Sequence, residues 1–338
     1  MGKTKAIILA GGKGTRMKSD LPKVLHKIYD KTIIDYVYDA CIESNIDEIY
    51  VIVGHKANLV ENHLKDKENL TCILQKEQLG TGHAVMQAAD KINDDDIVLV
   101  INGDQPLISP KTITSLISFT KQGSYGGTVL SAIIDKPGKL GRIIRDENGN
   151  LKRIVESKDC SEDEEKICEI NVGVYCFIGN LLKDALGKLD NNNAQNEYYI
   201  TDVPSHIKAK GFNFGVLTIA DITEYQGINS REELSLATNT MLNKTRKYHM
   251  NNGVTLIDPN NTYISLDTKI GKDTIIYPGA NIQGNTIIGE NCIIGPNSYI
   301  ISSTIGNNVL VKTSTIDSST IKDFTKIEPY QVIKNKNI

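Results

Sequence analysis

The sequence predicts an α/β domain of Rossmann-like outline followed by a short parallel β-helix. Two patterns predict it. Short apolar runs alternate with stretches of helical spacing up to about residue 228, and past Asn251 isoleucine recurs at a fixed interval. Length agrees, since 338 residues make about two domains at roughly 150 residues each, and each can bury its own core.

In the first region, residues 6–10, 48–53, 71–75, 97–101 and 128–134 read as strands. Residues 33–44, 57–65, 82–89 and 111–119 carry helical spacing between them, the last behind a Ser109-Pro110 start signal. Such alternation implies a mostly parallel sheet with helices on both faces. Ligands of such sheets sit outside the carboxyl ends of the strands, so residues just after strands have first claim on chemistry. The acidic stretch 158–166 reads as a solvated loop. Ser230-Arg231-Glu232-Glu233 reads as a capping box that opens a helix running toward Tyr248, a linker between the two patterns.

The second pattern is a hexad. Isoleucine stands at 264, 270, 276, 282, 288, 294 and 300, with Thr268, Thr274, Ala280, Thr286, Cys292 and Ser298 two places before the next isoleucine. One inward aliphatic residue per hexad fits a triangular β-helix, in which each flat side is one hexad and three hexads close a coil. The interval then slips between five and six through Ile305, Val311, Ile316, Ile321, Ile327 and Ile333, giving about four coils with uneven corners.

Composition excludes several classes. With 38 basic and 41 acidic residues, the net charge of −3 offers no broad positive field for nucleic acid or anionic lipid, so a bound phosphate must be gripped locally. The longest apolar runs fall far short of a membrane span. Met1-Gly2-Lys3-Thr4-Lys5 leads straight into the first strand with no signal-peptide pattern, and a cytoplasmic location is expected. The six cysteines form no close C-x-x-C pair and read as free, mostly buried thiols.

Three segments after strands carry chemistry. Leu9-Ala10-Gly11-Gly12-Lys13-Gly14-Thr15-Arg16-Met17, followed by Leu21-Pro22-Lys23, combines glycines that let backbone N–H groups approach a phosphate with nearby cations. It does not match the Walker pattern, since no G-x-x-x-x-G-K-[ST] is present, nor the dinucleotide pattern, since Met17 stands where a third glycine would be. Asn102-Gly103-Asp104-Gln105-Pro106-Leu107 places Asp104 either to hold Mg²⁺ beside phosphates or to cap a turn. Gln75 has an amide able to pair with a base edge, and Gly80-Thr81 opens a helix with free donors. His83 lies one turn into that helix, where a histidine is commonly packed or exposed, and no proton-transfer role is expected of it.

Taken with Gln78-Leu79-Gly80-Thr81-Gly82-His83-Ala84, Gly141-Arg142-Ile143, Glu169-Ile170-Asn171-Val172-Gly173, Asn191-Asn192-Asn193-Ala194-Gln195, Glu197-Tyr198-Tyr199-Ile200-Thr201-Asp202 and Gly227-Ile228-Asn229, the chain resembles the bacterial N-acetylglucosamine-1-phosphate uridylyltransferase family. The blocks keep the family's order over residues 1 to about 230, and the hexads fall where that family has a left-handed β-helix. The resemblance implies a nucleotidyltransferase domain at 1–229, a linker helix at 230–250 and a short left-handed β-helix at 251–338. It implies that Leu9, Ala10, Gly11, Gly12, Gln75, Gly80 and Thr81 hold the uridine and its phosphates, with Asn102 and Gly103 beside them. Position 102 is Asn where some family members carry an aromatic residue. Gly141, Glu156, Asn171, Tyr199 and Thr201 would line the N-acetylglucosamine pocket. Asp104 and Asn229 would coordinate Mg²⁺, while Arg16 and Lys23 would neutralise phosphate charge as the catalytic residues.

The reaction so implied joins UTP and N-acetylglucosamine 1-phosphate into UDP-N-acetylglucosamine and pyrophosphate, a step toward cell-wall peptidoglycan and lipopolysaccharide. Full-length members of the family also transfer acetyl groups in later coils of the β-helix. Residues 251–338 contain no histidine, and acetyl transfer is not expected of this chain unless it is part of a longer one. A homotrimer through the β-helix is expected from the resemblance. The alternatives are a nucleotidyltransferase for another sugar 1-phosphate or nucleotide, and a non-catalytic scaffold that binds a nucleotide sugar.

Overall fold

The computed structural model describes residues 2–338. It divides into two compact units, one formed by residues up to Lys27 with Lys31–Glu233 and the other by Ile28–Asp30 with Leu234–Ile338.

The chain runs β1 (Thr4–Leu9), the two-residue strands β2 (Lys27–Ile28) and β3 (Lys31–Thr32), α1 (Ile33–Glu43), β4 (Glu48–Val53), α2 (Ala57–Leu64), β5 (Leu70–Leu74), α3 (Thr81–Met86), β6 (Ile97–Asn102), α4 (Pro110–Gln122) and β7 (Gly127–Ile133). Each expected strand and helix up to residue 134 is present, with ends displaced by a few residues at most. The chain continues through β8 (Arg142–Arg145), β9 (Leu151–Val155), α5 (Glu162–Glu165), β10 (Glu169–Ile178), α6 (Gly179–Leu186), α7 (Val203–Ala209), β11 (Phe214–Thr218) and α8 (Arg231–Asn251). The main sheet has the order β11-β7-β10-β6-β1-β4-β5, and β10 alone on this path is antiparallel to both its neighbours.

Both faces of this sheet are covered. On β1, Ala6 and Ile8 join one apolar cluster while Ile7 joins the other, and all three are fully buried. That is why these strands read as continuous apolar runs rather than alternating ones. From β1 the chain steps outward to β4 and β5, then returns to the other side of β1 as β6. This reversal leaves a crevice at the carboxyl ends of β1 and β6. The parallel register sets Leu9 opposite Asn102, so the segments after both strands emerge side by side.

The acidic segment 158–166 differs from the expected loop. Residues 162–165 form the single helical turn α5, closed by a capping box in which Ser161 and Glu164 bond each other's backbone amides. Four acidic residues at a helix start favour that turn through the helix dipole, and the segment is solvated all the same. The expected box at α8 forms as read: Ser230 Oγ accepts from Glu233 N at 3.1 Å, and Glu233 Oε2 accepts from Ser230 N at 3.0 Å.

In the second unit three parallel sheets of five, five and four short strands stack as a triangular coil. The isoleucines of the hexads point inward and are buried, except Ile270, which is partly so. Ile264 pairs with Ile282 and Ile282 with Ile300, so one coil takes 18 residues; Ile300 pairs with Ile316, and the later coil takes 16. The shorter coils are the slips seen in the sequence interval. Corners stack in ladders of positive φ, one of them formed by Asp273, Asn291, Asn308 and Phe324. Asp and Asn tolerate that conformation, whereas Phe324 is held in it by the coil beneath, with its N–H donating to Asn307 O at 2.9 Å.

Candidate active site

The crevice between β1 and β6 holds a cleft of about 290 Å³. Leu9, Ala10, Gly11 and Gly12 form one wall, Gln75, Gly80 and Thr81 another, and Lys23, Asn102 and Asp104 close the third side. Gly103 ties the two strand ends together by donating its N–H to Leu9 O at 2.9 Å. Gly14 sits at φ +58, and a Cβ there would lie 2.8 Å from Lys23 Cβ, so only glycine lets the loop press against the base of Lys23.

Lys23 begins a single helical turn behind Pro22, and its side chain is only 15% exposed. Its ammonium donates to the Asp104 carboxylate and, at 2.9 Å, to Asn229 Oδ1. The 227–229 segment reaches this point because Ile228 N donates to Asp104 O at 2.8 Å. A carboxylate oxygen and an amide oxygen therefore converge on one cation, here the protein's own ammonium. That donor chemistry fits a hard divalent ion such as Mg²⁺, which takes one or two protein oxygens and shares the rest of its shell with water and phosphate. Among the described residues no group of three or more His, Cys, Asp and Glu gathers to hold a metal.

A second cluster adjoins β10. A Cβ on Gly141 would lie 3.6 Å from Asn171 Cβ and 3.7 Å from Glu156 Oε2, and Thr201 Oγ1 donates to Glu156 Oε1 at 3.2 Å. Gly141, Glu156, Asn171 and Thr201 thus meet although they come from four segments. Tyr199 is buried nearby and its hydroxyl accepts from Gln195 Nε2 at 2.9 Å. Burial pushes the Glu156 carboxyl up, the Thr201 hydroxyl opposes it, and the charges of Asp159, Asp202 and Glu197 add to the rise. The cluster is linked to the cleft by Asn102, whose Nδ2 donates to Gly173 O at 3.3 Å. Gly173 has φ +82 in a bulge of β10, and a Cβ there would lie 2.7 Å from Asn102 Nδ2.

Arg16 departs from expectation. It lies exposed on the turn Thr15–Met17 and does not line the cleft. Met17, 1% exposed, takes the inward position of that three-residue turn, which leaves its neighbour on the outer side. Sequence reasoning missed Gln78 and Glu197, which do line the cleft. Glu197 arrives there because Tyr198 N donates to Leu79 O at 2.8 Å and Gly82 N to Tyr198 O at 2.7 Å. No local pattern around residue 197 signals that strap.

Residues 5–217 match the nucleotidyl transferase family, and residues 267–302 match the bacterial transferase hexapeptide, six repeats. The chain belongs to the nucleotidyl transferase family. Among its relatives is the bifunctional protein GlmU of Alkaliphilus oremlandii, 47% identical over 99% of this chain and 73% of that protein. GlmU of Clostridium kluyveri is 49% identical over 97% of this chain and 72% of its own length, and that of Clostridioides difficile 46% identical over 98% and 72%. A crystal structure of UDP-glucose pyrophosphorylase complexed with UDP-glucose shares the fold with a TM-score of 0.59 at 22% identity, covering 72% of this chain and 99% of that one. This nucleotidyl transferase is therefore an enzyme of the GlmU type, with a Rossmann-like α/β domain and a left-handed β-helix of hexapeptide repeats. Enzymes of this type use a divalent metal. Among the described residues no helix is long and apolar enough to cross a membrane.

Proposed function

We propose that this nucleotidyl transferase is a Mg²⁺-dependent uridylyltransferase that makes UDP-N-acetylglucosamine and pyrophosphate from UTP and N-acetylglucosamine 1-phosphate. The observation that carries the reading is the bonded group of Lys23, Asp104 and Asn229 at the edge of a glycine-walled cleft. A phosphate oxygen of the sugar phosphate attacks the α-phosphorus of UTP, and the bond from that phosphorus to the bridging oxygen breaks, so that pyrophosphate leaves with the electron pair. Because a phosphate monoester has a second pKa near ~6, the nucleophile is already ionised at neutral pH and needs no base. The obstacle is repulsion between anions, which alignment and positive charge remove.

In this reading Asp104 and Asn229 hold the divalent ion, which when bound supplies positive charge to the phosphates. Lys23, released from Asp104, turns its ammonium to the phosphate oxygens. The backbone of residues 9–12 seats the triphosphate, Gln75 and Gly80-Thr81 hold the uridine, and Gly141, Glu156, Asn171, Tyr199 and Thr201 receive the sugar. Arg16 reaches the phosphates only by a movement of its exposed turn. The domain to residue 229 does the chemistry, the helix at 230–250 joins, and residues 251–338 form the β-helix. That last stretch has no histidine, and we assign it no acetyl transfer. A protein that consumes UTP in this way belongs in the cytoplasm.

The test is a panel of sugar 1-phosphates with each nucleoside triphosphate and Mg²⁺. UDP-N-acetylglucosamine and pyrophosphate should form at least about tenfold faster than any product of glucose 1-phosphate, EDTA should stop the reaction and excess Mg²⁺ restore it. Preference for glucose 1-phosphate would overturn the sugar assignment, and no pyrophosphate from any pair would leave the scaffold reading. The β-helix is proposed to hold three copies together; light scattering that gives the mass of one chain at micromolar concentration would rule this out.

A further inference from the structure

His83 is absent from the cleft wall, yet its ring holds a residue that forms it. Gln75 is buried at the end of β5. Its Nε2 donates to Gly80 O at 3.3 Å and meets His83 Nδ1 at 3.0 Å. A carbonyl oxygen only accepts, so Gly80 decides which end of the amide is the NH₂, and the ring nitrogen facing it must then accept as well. In a neutral imidazole that places the proton on Nε2. Gln87 Nε2 also approaches the ring, but at 3.3 Å from His83 Nε2 its contact is the longer of the two, and its shorter bond, 3.0 Å, goes to His83 O. For Gln75 the ring nitrogen is the shorter partner, and the closer contact takes the accepting nitrogen. With the Gln75 nitrogen engaged twice, Oε1 is the end that faces Gly11, 3.0 Å from where a Cβ of that residue would be. Among the described residues no donor is bonded to this oxygen.

We infer that His83 is a positioning residue: it holds the Gln75 amide with its oxygen toward the base and so selects a pyrimidine whose N3 carries a hydrogen over one whose N3 is a lone pair. Uracil donates its N3–H to Oε1, whereas cytosine sets one lone pair against another. The inference rests on the uridylyl reading above and deepens it. Without the ring acceptor the amide keeps a single bond, at 3.3 Å, and its last torsion is soft enough to turn the NH₂ toward the base.

The experiment compares the wild type, His83→Ala and His83→Asn with UTP and with CTP, N-acetylglucosamine 1-phosphate being the acceptor. A wild type that uses neither nucleotide overturns the uridylyl reading and the inference with it. For a wild type that uses UTP, His83→Ala should lower the UTP-to-CTP ratio of kcat/KM at least about tenfold, through a higher KM for UTP and little change in kcat. His83→Asn places an oxygen near the site of Nδ1 and should restore most of the ratio. An unchanged ratio in His83→Ala, or equal loss in both variants, overturns the positioning role alone. Should His83→Ala fail to fold, ¹⁵N NMR of the wild-type imidazole still decides: the Nε2–H tautomer is expected, and the Nδ1–H form overturns the inference.

Discussion

Asp104→Ala should slow pyrophosphate release by about two to three orders of magnitude while the protein stays folded. Lys23 Nζ now bonds two oxygens, those of Asp104 and Asn229, and the substitution removes the charged one. The proposed divalent site loses its only carboxylate, and a neutral amide oxygen with water is a poor substitute for a hard ion. Lys23 is left beside Asn229 with less to hold its ammonium in line. The fold should tolerate the change because the backbone bond from Ile228 N to Asp104 O, 2.8 Å, needs no side chain. Asp104→Asn separates charge from shape: it keeps the size and an acceptor oxygen, so a loss nearly as large as that of alanine assigns the effect to charge. Initial rates at saturating UTP with a melting curve for each variant are the measurement. A rate within threefold of wild type in Asp104→Ala would remove the mechanism and leave the architecture standing.

Ile294→Ala should cost about 2–5 kcal/mol of stability in the β-helix, and Ile293→Ala, one residue earlier, less than about 1 kcal/mol. The two side chains are identical and adjacent but leave the strand on opposite sides. Ile294 is fully buried and stacks between Ile276 below and Val311 above, whereas Ile293 is 40% exposed. Shortening Ile294 opens a gap facing both neighbouring coils, and in a stack whose coils touch only their neighbours the damage falls on two interfaces. Urea unfolding followed on the second unit, through hydrogen exchange of 251–338, reads both variants. Equal effects would mean that the inward face has been assigned to the wrong residues.

The legible parts of this protein share one property: their signal is local. Strands at 48–53 and 97–101 show as apolar runs because the sheet buries both faces, and the coil shows as a hexad because each inward isoleucine stacks on its own equivalent. The segment from Arg142 to Ile178 gave no such signal. Its strands β8 and β9 are short, and in β10 an alternation over residues 169–174 passes into an apolar run at 174–178 across the bulge at Gly173, so one strand mixes two patterns. The corner residues Thr313 and Tyr330, at φ +30 and +64, were equally silent, because a position usually given to Gly or Asn is there imposed by the coil below.

The site divides along the same line. Gly11, Gly12, Gln75 and Asp104 could be named from sequence because each follows a strand, and strand ends are where such sheets bind. The bonds that unite Lys23 with Asp104 and with Asn229 span 81 and 206 residues, and the entry of Glu197, the outward turn of Arg16 and the grip of His83 on Gln75 had no counterpart in spacing. Periodicity and strand ends are written in neighbouring residues, so chain order alone carries the alternating sheet, the hexad coil and the place of the cleft. Which side chains face one another inside that cleft depends on how separate segments pack, and that choice exists only once the chain has closed on itself.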